Sequence, residues 1–275
     1  MPELPEVQTV VNTLAPRVKG AKIAAVTLNR SDIVEPRDFD LVTHLTNRTI
    51  AQIERRGKRI VFTLDDANRF YVHLGMTGRL TIEPIDTPLA KHTHLVVELT
   101  STGANGRAQM RFRDPRRFGG IFWLGDDDPA GTMGPEPLSI RAEELFAKLK
   151  RTKRVVKTAL LDQKLVAGLG NIYVDEALHT AGIYPKLRAD RLNRAQVDRL
   201  ATAIKTVLRR ALKHRGSTLR DFVDADGLEG AFQKLHRVYD REGKPCSNCG
   251  TAIKRIVLGG RSTHYCPKCQ PLRRR

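Results

Sequence analysis

Apolar positions near the start of the chain recur at helical spacing. Val7, Val10, Val11 and Leu14 fall at i, i+3, i+4 and i+7, which predicts a helix over 5–18. From residue 22 the pattern changes to short runs rich in β-branched and aromatic residues, at 23–28, 60–64, 70–74, 94–99, 109–113 and 121–124. Gly75, Gly78, Gly103 and Gly106 separate these runs, so a β-sandwich or flattened barrel is expected. A loop rich in Asp, Gly and Pro over 125–137 closes the strand-rich region. Helical spacing then returns. Val197, Leu200, Ile204, Val207, Leu208 and Ala211 form a stripe behind an expected N-cap at Asn193, and shorter helices fit 141–150, 153–162 and 171–180. The chain has no internal repeat and no low-complexity tract.

Charge changes this picture. The net charge of +18 suggests a polyanionic partner, although ribosomal and membrane-surface proteins are also basic. Residues 1–150 hold 21 Lys and Arg against 19 Asp and Glu, whereas 151–275 hold 27 against 11. A single charge run is usually a solvated face, but an asymmetry across half the chain predicts anion binding that weakens steeply with salt. There is no run of about 18 apolar residues and no basic-then-apolar leader. A cytoplasmic location is expected, without membrane contact.

Cys246, Cys249, Cys266 and Cys269 are spaced C-x2-C-x16-C-x2-C, as in a four-cysteine zinc site. The alternative, a disulfide pair, suits a cytosolic chain poorly. Four protein ligands leave zinc no open position, so its role should be structural. Between the pairs, Lys254, Arg255 and Arg261 with Gly259 and Gly260 read as a basic hairpin-like finger for a nucleic acid backbone. At the other end the chain begins Met-Pro-Glu-Leu-Pro-Glu. Removal of Met1 would give Pro2 a free secondary amine, and α-amino groups titrate at roughly 7.7–8.0, so a neutral nucleophilic fraction exists. Equally, Pro2 and Pro5 can be helix-start punctuation, with Glu3 and Glu6 complementing the helix dipole.

Pro-Glu-Leu-Pro-Glu-Val at 2–7 and the cysteine set resemble the formamidopyrimidine-DNA glycosylase family. So do Arg-Arg-Gly-Lys at 55–58, His-Leu-Gly-Met-Thr-Gly at 73–78, Asp-Pro-Arg-Arg-Phe-Gly at 114–119, Gly-Leu-Gly-Asn-Ile-Tyr at 168–173 and Gly-Arg-Ser-Thr at 260–263. The resemblance implies an α+β multidomain fold: an N-terminal β-sandwich catalytic domain with flanking helices (1–132), a helix-two-turns-helix DNA-binding domain (133–238) and a zinc finger (239–275). It implies one structural zinc, duplex DNA with oxidised purine lesions as partner, and a bifunctional glycosylase and AP lyase of base excision repair. A monomer is the default, in a bacterial cytoplasm and on the nucleoid when acting.

The resemblance also assigns residues. Pro2 would attack C1′ of the damaged nucleotide, Glu3 would protonate the deoxyribose ring oxygen, and Lys58 would lie near the lesion phosphate and base. An exposed turn cation is the alternative for Lys58, and Arg59 stands where many relatives have an aromatic residue. Met76, Arg116 and Phe118 match a trio that fills the hole left by an everted base, although Met76 or Phe118 alone would suit a core. Asn171 would contact the DNA backbone at a helix start, or act as an ordinary N-cap. His92 matches a DNA-binding histidine, although a lone histidine is often structural, and Lys153 or Arg154 would add a phosphate contact. Arg261 would grip phosphates flanking the lesion and serve the final elimination. Residues 216–232, with Gly227 and Gly230, resemble a lid over the everted base. The sister endonuclease VIII type prefers oxidised pyrimidines and opens Pro-Glu-Gly-Pro-Glu, so Leu4 favours the purine enzyme. A non-catalytic damage reader on the same fold is disfavoured by the presence of Pro2, Glu3 and Lys58.

Overall fold

The computed structural model describes residues 2–100 and 107–272; Gly103, Gly106 and Met1 lie outside the described residues. Two compact units result, Met1–Gly131 with His214–Ala231, and Thr132–Lys213 with Phe232–Arg275. Among the described residues no helix is long and apolar enough to cross a membrane.

The first unit runs α1 (Leu4–Val18), β1 (Lys22–Leu28), β2 (Val34–Glu35), α2 (Leu41–Leu45), β3 (Ile50–Arg56), β4 (Arg59–Leu64), β5 (Arg69–His73), β6 (Arg79–Pro84), β7 (Thr93–Thr100), β8 (Ala108–Arg113) and β9 (Gly120–Gly125). One sheet has the order β1-β7-β8-β6 and the other β2-β9-β5-β4-β3. Ile23, Leu95, Val97 and Phe112 of the first meet Ile60, Phe62, Phe70 and Val72 of the second in one core, with Phe62 and Phe70 stacked at 4.7 Å. α1 lays Val7, Val10, Val11 and Leu14 on that core, each burial worth ~1.5–3 kcal/mol.

The segment His214–Ala231 packs back onto this unit. Phe222 and Ala225 enter the core, the Ala225 N–H donates to Thr13 Oγ1 (3.2 Å), and the Ala225 carbonyl accepts the Ile82 N–H (3.0 Å). Strands β2, β3 and β6 escaped the sequence reading. β3 buries only Ile50 and Ile53, β2 is two residues long, and β6 sets Leu80 and Ile82 among polar neighbours.

The second unit holds α3 (Ala142–Lys150), α4 (Val156–Leu160), α5 (Asn171–Ala181), α6 (Arg194–Lys213) and a hairpin of β10 (Lys254–Leu258) and β11 (Arg261–Tyr265). Asn193 caps α6 as expected, its Oδ1 accepting the Gln196 N–H while Gln196 Oε1 accepts the Asn193 N–H, both at 2.9 Å. The helix expected over 153–162 is corrected to Val156–Leu160. Val155 forms a bridge with Arg188 and the Arg154 carbonyl accepts the Ala189 N–H, which keeps the preceding chain extended.

Two carboxylates of α5 organise this unit. Glu176 accepts the N–H groups of Arg237, Val238 and Tyr239 at 2.9–3.0 Å. Asp175 pairs with Lys157, both fully buried, and accepts the His264 N–H (2.9 Å). Lys157 also donates to the carbonyls of Asn171 (3.5 Å) and Ser262 (3.4 Å), so one cation joins α4, the start of α5 and β11.

His236 lies edge-on to Phe232 and Tyr239, and burial pushes its pKa down to about 4. The unfolded imidazole titrates near ~6.5, so on acidification the unfolded chain takes up this proton first. The stabilisation is intact above ~6.5 and is lost as pH falls towards 4, at up to ~1.4 kcal/mol per pH unit. In urea unfolding, the stability lost between neutral pH and about pH 5 should be smaller by roughly 2 kcal/mol in His236→Phe. Identical losses in both proteins would refute this account.

Candidate active site and nucleic-acid interface

In the first unit the candidate nucleophile stands at the head of α1. Pro2 and Glu3 are buried, Glu3 is the N-cap, and Pro5 sits in the first turn, where a missing N–H is harmless. The Glu3 N–H donates to Glu6 Oε2 (2.8 Å), one half of a capping box. The other Glu6 oxygen accepts the Ser217 N–H (2.7 Å), and Gly216, at φ +76°, passes so close that a Cβ would lie 2.6 Å from Glu6 Oε1. One buried carboxylate thus holds both the head of α1 and the segment read as a lid. Glu6 drew attention in the sequence only as a dipole charge; its spacing from Glu3 was the available signal.

Lys58 follows Gly57 in the β3–β4 turn and is 8% exposed, so it is not the exposed turn cation that the sequence left open. Arg55 clamps this turn to α1, donating to Gln8 Oε1 (2.9 Å) and to the Gly57 carbonyl (3.0 Å). His73 pairs with Arg59 across β4 and β5, and burial together with the fields of Lys58 and Arg59 lowers its pKa. It is a neutral polar group beside a cation, and the sequence reading gave it no role. Arg59 itself lies 4.3 Å from the Tyr71 ring centre and donates to the Pro129 carbonyl (2.8 Å). A cation on an aromatic face fills this position.

Met76, Arg116 and Phe118 come together on two interlocked turns. Gly75 has φ +59°, and a Cβ there would lie 2.4 Å from the Phe118 and Gly119 backbone; a Cβ on Gly119 would lie 2.4 Å from the His73 carbonyl. Asp114, fully buried, accepts the N–H groups of Arg116 (3.2 Å) and Gly119 (2.8 Å) and the Thr77 hydroxyl, tying the two turns. Met76 is 39% and Phe118 55% exposed, and the Arg116 guanidinium covers the Phe118 ring at 4.5 Å. The core alternative for both is therefore ruled out. His92 is exposed at φ +67°, its carbonyl accepts the Asp114 N–H (3.1 Å), and it lines a shallow cavity of about 480 Å³ with Arg30 and Arg117.

In the second unit Asn171 is the first residue of α5 and Gly170 is the cap. Its Nδ2 donates to Ser262 Oγ (3.3 Å), and its buried Oδ1 has no partner among the described residues. Gln163 shapes the turn before it, donating to the Leu161 and Leu169 carbonyls and accepting the Gly168 N–H (2.8 Å). Lys153 and Arg154 are exposed, and Arg154 is paired with Asp162 (3.0 Å). The lysine that donates to the Asn171 carbonyl is Lys157, to which the sequence reading gave no role. Gly259 and Gly260, both at positive φ, form the two-residue turn that places Arg261, exposed, at the start of β11.

The four cysteine sulfurs lie within 4.8 Å of one another. Cys249 and Cys266 are 3.4 Å apart and Cys246 and Cys269 3.8 Å, close to the edge of a tetrahedron of thiolates around one zinc. N–H groups of Asn248 and Cys269 point at Cys246 and Cys266 sulfurs (3.4 Å each), and His179 Nε2 lies 3.5 Å from Cys246 Sγ. The donor set fits a closed structural zinc site.

Family models cover most of the chain: the formamidopyrimidine-DNA glycosylase N-terminal domain over 1–121, the formamidopyrimidine-DNA glycosylase H2TH domain over 133–223, and the zinc finger found in FPG and IleRS over 243–272. The chain belongs to the formamidopyrimidine-DNA glycosylase family. Relatives named formamidopyrimidine-DNA glycosylase include those of Rhizorhabdus wittichii, 44% identical over 98% of this chain and 100% of the relative, and Bacillus subtilis, 42% identical over 98% and 99%. Among solved structures, Lactococcus lactis Fpg in complex with DNA containing an abasic site superposes with a TM-score of 0.90 at 36% identity, covering 98% of this chain and 99% of that one. A mutant of that enzyme, in complex with DNA containing Fapy-dG, matches with the same TM-score and identity over 98% and 100%. Membership of this family agrees with the zinc site, the two-sheet sandwich and the helical unit.

Two outcomes follow from this geometry. Asp114→Ala should cost about 2–3 kcal/mol in urea unfolding, because the N–H groups of Arg116 and Gly119 lose their acceptor, and should weaken binding of lesion-bearing duplex. A variant with unchanged stability would mean that Asp114 does not hold the turns. Elemental analysis should find one zinc per chain, and Cys266→Ser should lose the metal and DNA affinity together. Tight DNA binding by metal-free protein would exclude the structural role.

Proposed function

We propose that this protein removes oxidised purines, 8-oxoguanine and formamidopyrimidines, from duplex DNA and then cuts the strand through a Schiff base on Pro2. It is a DNA glycosylase of base excision repair, and glycosylase and AP lyase activities are those of its family. The observation that carries the reading is the full-length match to this family, joined to a chain start in which Pro2 and Glu3 are buried side by side at the capped head of α1.

With Met1 removed, the Pro2 nitrogen attacks C1′ and displaces the damaged base, while Glu3 donates a proton to the deoxyribose ring oxygen. The ring-opened sugar is then an iminium on Pro2. Loss of a C2′ proton expels the 3′ phosphate and a second elimination expels the 5′ phosphate, which leaves a one-nucleotide gap. Lys58 supplies positive charge near the lesion phosphate. Met76 and Phe118 are exposed apolar side chains suited to wedging unstacked bases, and Arg116 carries donors for the orphaned cytosine. His92, Asn171, Lys153, Arg154 and Arg261 bind backbone phosphates. We assign these roles to three modules, 1–132 for catalysis, 133–238 for DNA binding and 239–275 for the zinc finger, in a monomer acting on nucleoid DNA in the cytoplasm.

Borohydride trapping tests the reading, with duplexes carrying 8-oxoguanine opposite cytosine or an oxidised pyrimidine, followed by mass spectrometry of the adduct. An adduct on Pro2, strongest with the purine lesion, is expected. Trapping with the pyrimidine alone would move the chain to the endonuclease VIII type. Binding without trapping, by protein shown to begin at Pro2, would make it a reader of damage.

A further inference from the structure

The two faces of α6 differ sharply in chemistry. Val197, Leu200, Ile204, Val207, Leu208 and Ala211 are buried, with α5 and α3 packed against this helix. The opposite face carries Arg199, Thr202, Thr206, Arg209, Arg210 and Lys213, all exposed or half-buried. Asp198 is paired with Arg194 at 2.9 Å, and from 199 to 213 α6 has five cations and no carboxylate. A solvated helix face usually mixes both signs, and like charges a turn apart oppose helix formation. Binding a polyanion would offset that repulsion.

At its N-terminal end the stripe runs into a groove of about 870 Å³. Arg191, Arg199 and Lys268 line it with Tyr184, Asn193 and Gln196, and its lining contains no acidic residue. Ala181 and Gly182, at the far end of α5 from Asn171, also border the groove. That separation is ~15 Å along the helix axis. β11, which carries Arg261, packs on α5, and the exposed face of α6 is turned away from α5. The second unit therefore presents two cationic surfaces in different directions.

The chemistry of the stripe selects its occupant. No large apolar side chain is exposed on α6, so it lacks the anchors on which protein partners depend. Arginines and a lysine interleaved with threonine hydroxyls, over ~21 Å of helix, are a set of phosphate contacts. We propose that the exposed face of α6, continuous with the groove at its start, binds the backbone of a second duplex DNA segment while Asn171 and Arg261 engage the first. The protein can then pass between segments without leaving DNA. This rests on the reading of the chain as a DNA repair enzyme.

Stopped-flow release of a short labelled duplex with an abasic-site analogue, measured against rising lesion-free competitor duplex, tests the proposal. Wild-type protein should release at a rate that climbs with competitor, by at least ~3-fold, as direct transfer requires. The triple variant Arg199→Gln, Arg209→Gln, Lys213→Gln should release at a rate independent of competitor, with wild-type zinc content, unfolding and single-turnover excision on the short duplex. A variant with wild-type competitor dependence, or wild-type protein with none, would overturn the proposal. Acceleration by polyglutamate equal to that by DNA would also overturn it in favour of an acidic protein partner. Failure of both proteins to excise purine lesions would overturn the repair reading instead.

Discussion

A carboxylate removed from water is tolerated only where N–H groups or a cation surround it, and the acids that shape this molecule obey that constraint. Glu6, Asp114, Asp175, Glu176 and Asp224 are all buried. Glu6 gathers Glu3 and Ser217, Asp114 gathers Arg116, Gly119 and Thr77, Glu176 gathers three successive N–H groups, and Asp224 gathers Asp226 and Leu228 with Arg215. Glu6, Asp114, Glu176 and Asp224 each draw in a loop with no regular structure of its own, while Asp175 binds strand β11 at His264. Acids serve as internal fasteners while many cations stay at the surface, which is how a chain with 30 acidic residues can present basic faces.

Loops fastened in this way can hold groups that folding alone would not favour. Met76 and Phe118 leave apolar area in water, Arg117 takes φ +53° and His92 φ +67°. Each is unfavourable locally, and together they persist because Gly75 and Gly119 let two turns approach more closely than any Cβ allows. Asp114 then satisfies the N–H groups that the approach strands. Local disfavour backed by buried satisfaction is what the contact role proposed for these turns requires.

What could be read from the sequence depended on separation along the chain. The stripes of α1 and α6, the Asn193 cap and the cysteine spacing are local patterns, and the structure reproduces them. β3 was silent because only two of its residues are buried. The extended start of the 153–162 segment depends on Arg188 and Ala189, and the burial of Lys157 depends on Asp175 and Ser262, the latter 105 positions away. In the sequence Lys157 is one of several lysines and arginines, so attention fell on Lys153 and Arg154, which remain at the surface. The return of residues 214–231 to α1 was equally hidden, since Glu6 and Ser217 are 211 positions apart. The resemblance supplied the roles of Pro2, Glu3, Lys58 and Arg261, which no periodicity carries.

The zinc hairpin shows why a metal is needed where so little chain is available. A two-stranded ribbon alone is at best marginally stable in water, and this one exposes Lys254, Arg255, Val257 and Arg261. Among the described residues its hydrophobic cluster is small, Val238, Cys246, Ile253 and Cys266 with Cys249 and Cys269 packed against them. Support comes from both ends. At one end the cysteine knuckles are placed to close on a single ion; at the other Gly259 lies against Thr158, and Lys157 binds the Ser262 carbonyl beside Arg261. Arg261 follows a two-residue turn whose left-handed backbone glycine adopts without strain, so its Cα is set by strand pairing and not by a free loop. The phosphate grip proposed for Arg261 would gain from that rigidity, because little backbone entropy remains to be lost on binding. The cysteine site and the buried Lys157–Asp175 pair therefore have one structural result: they fix the backbone that carries the exposed Arg261.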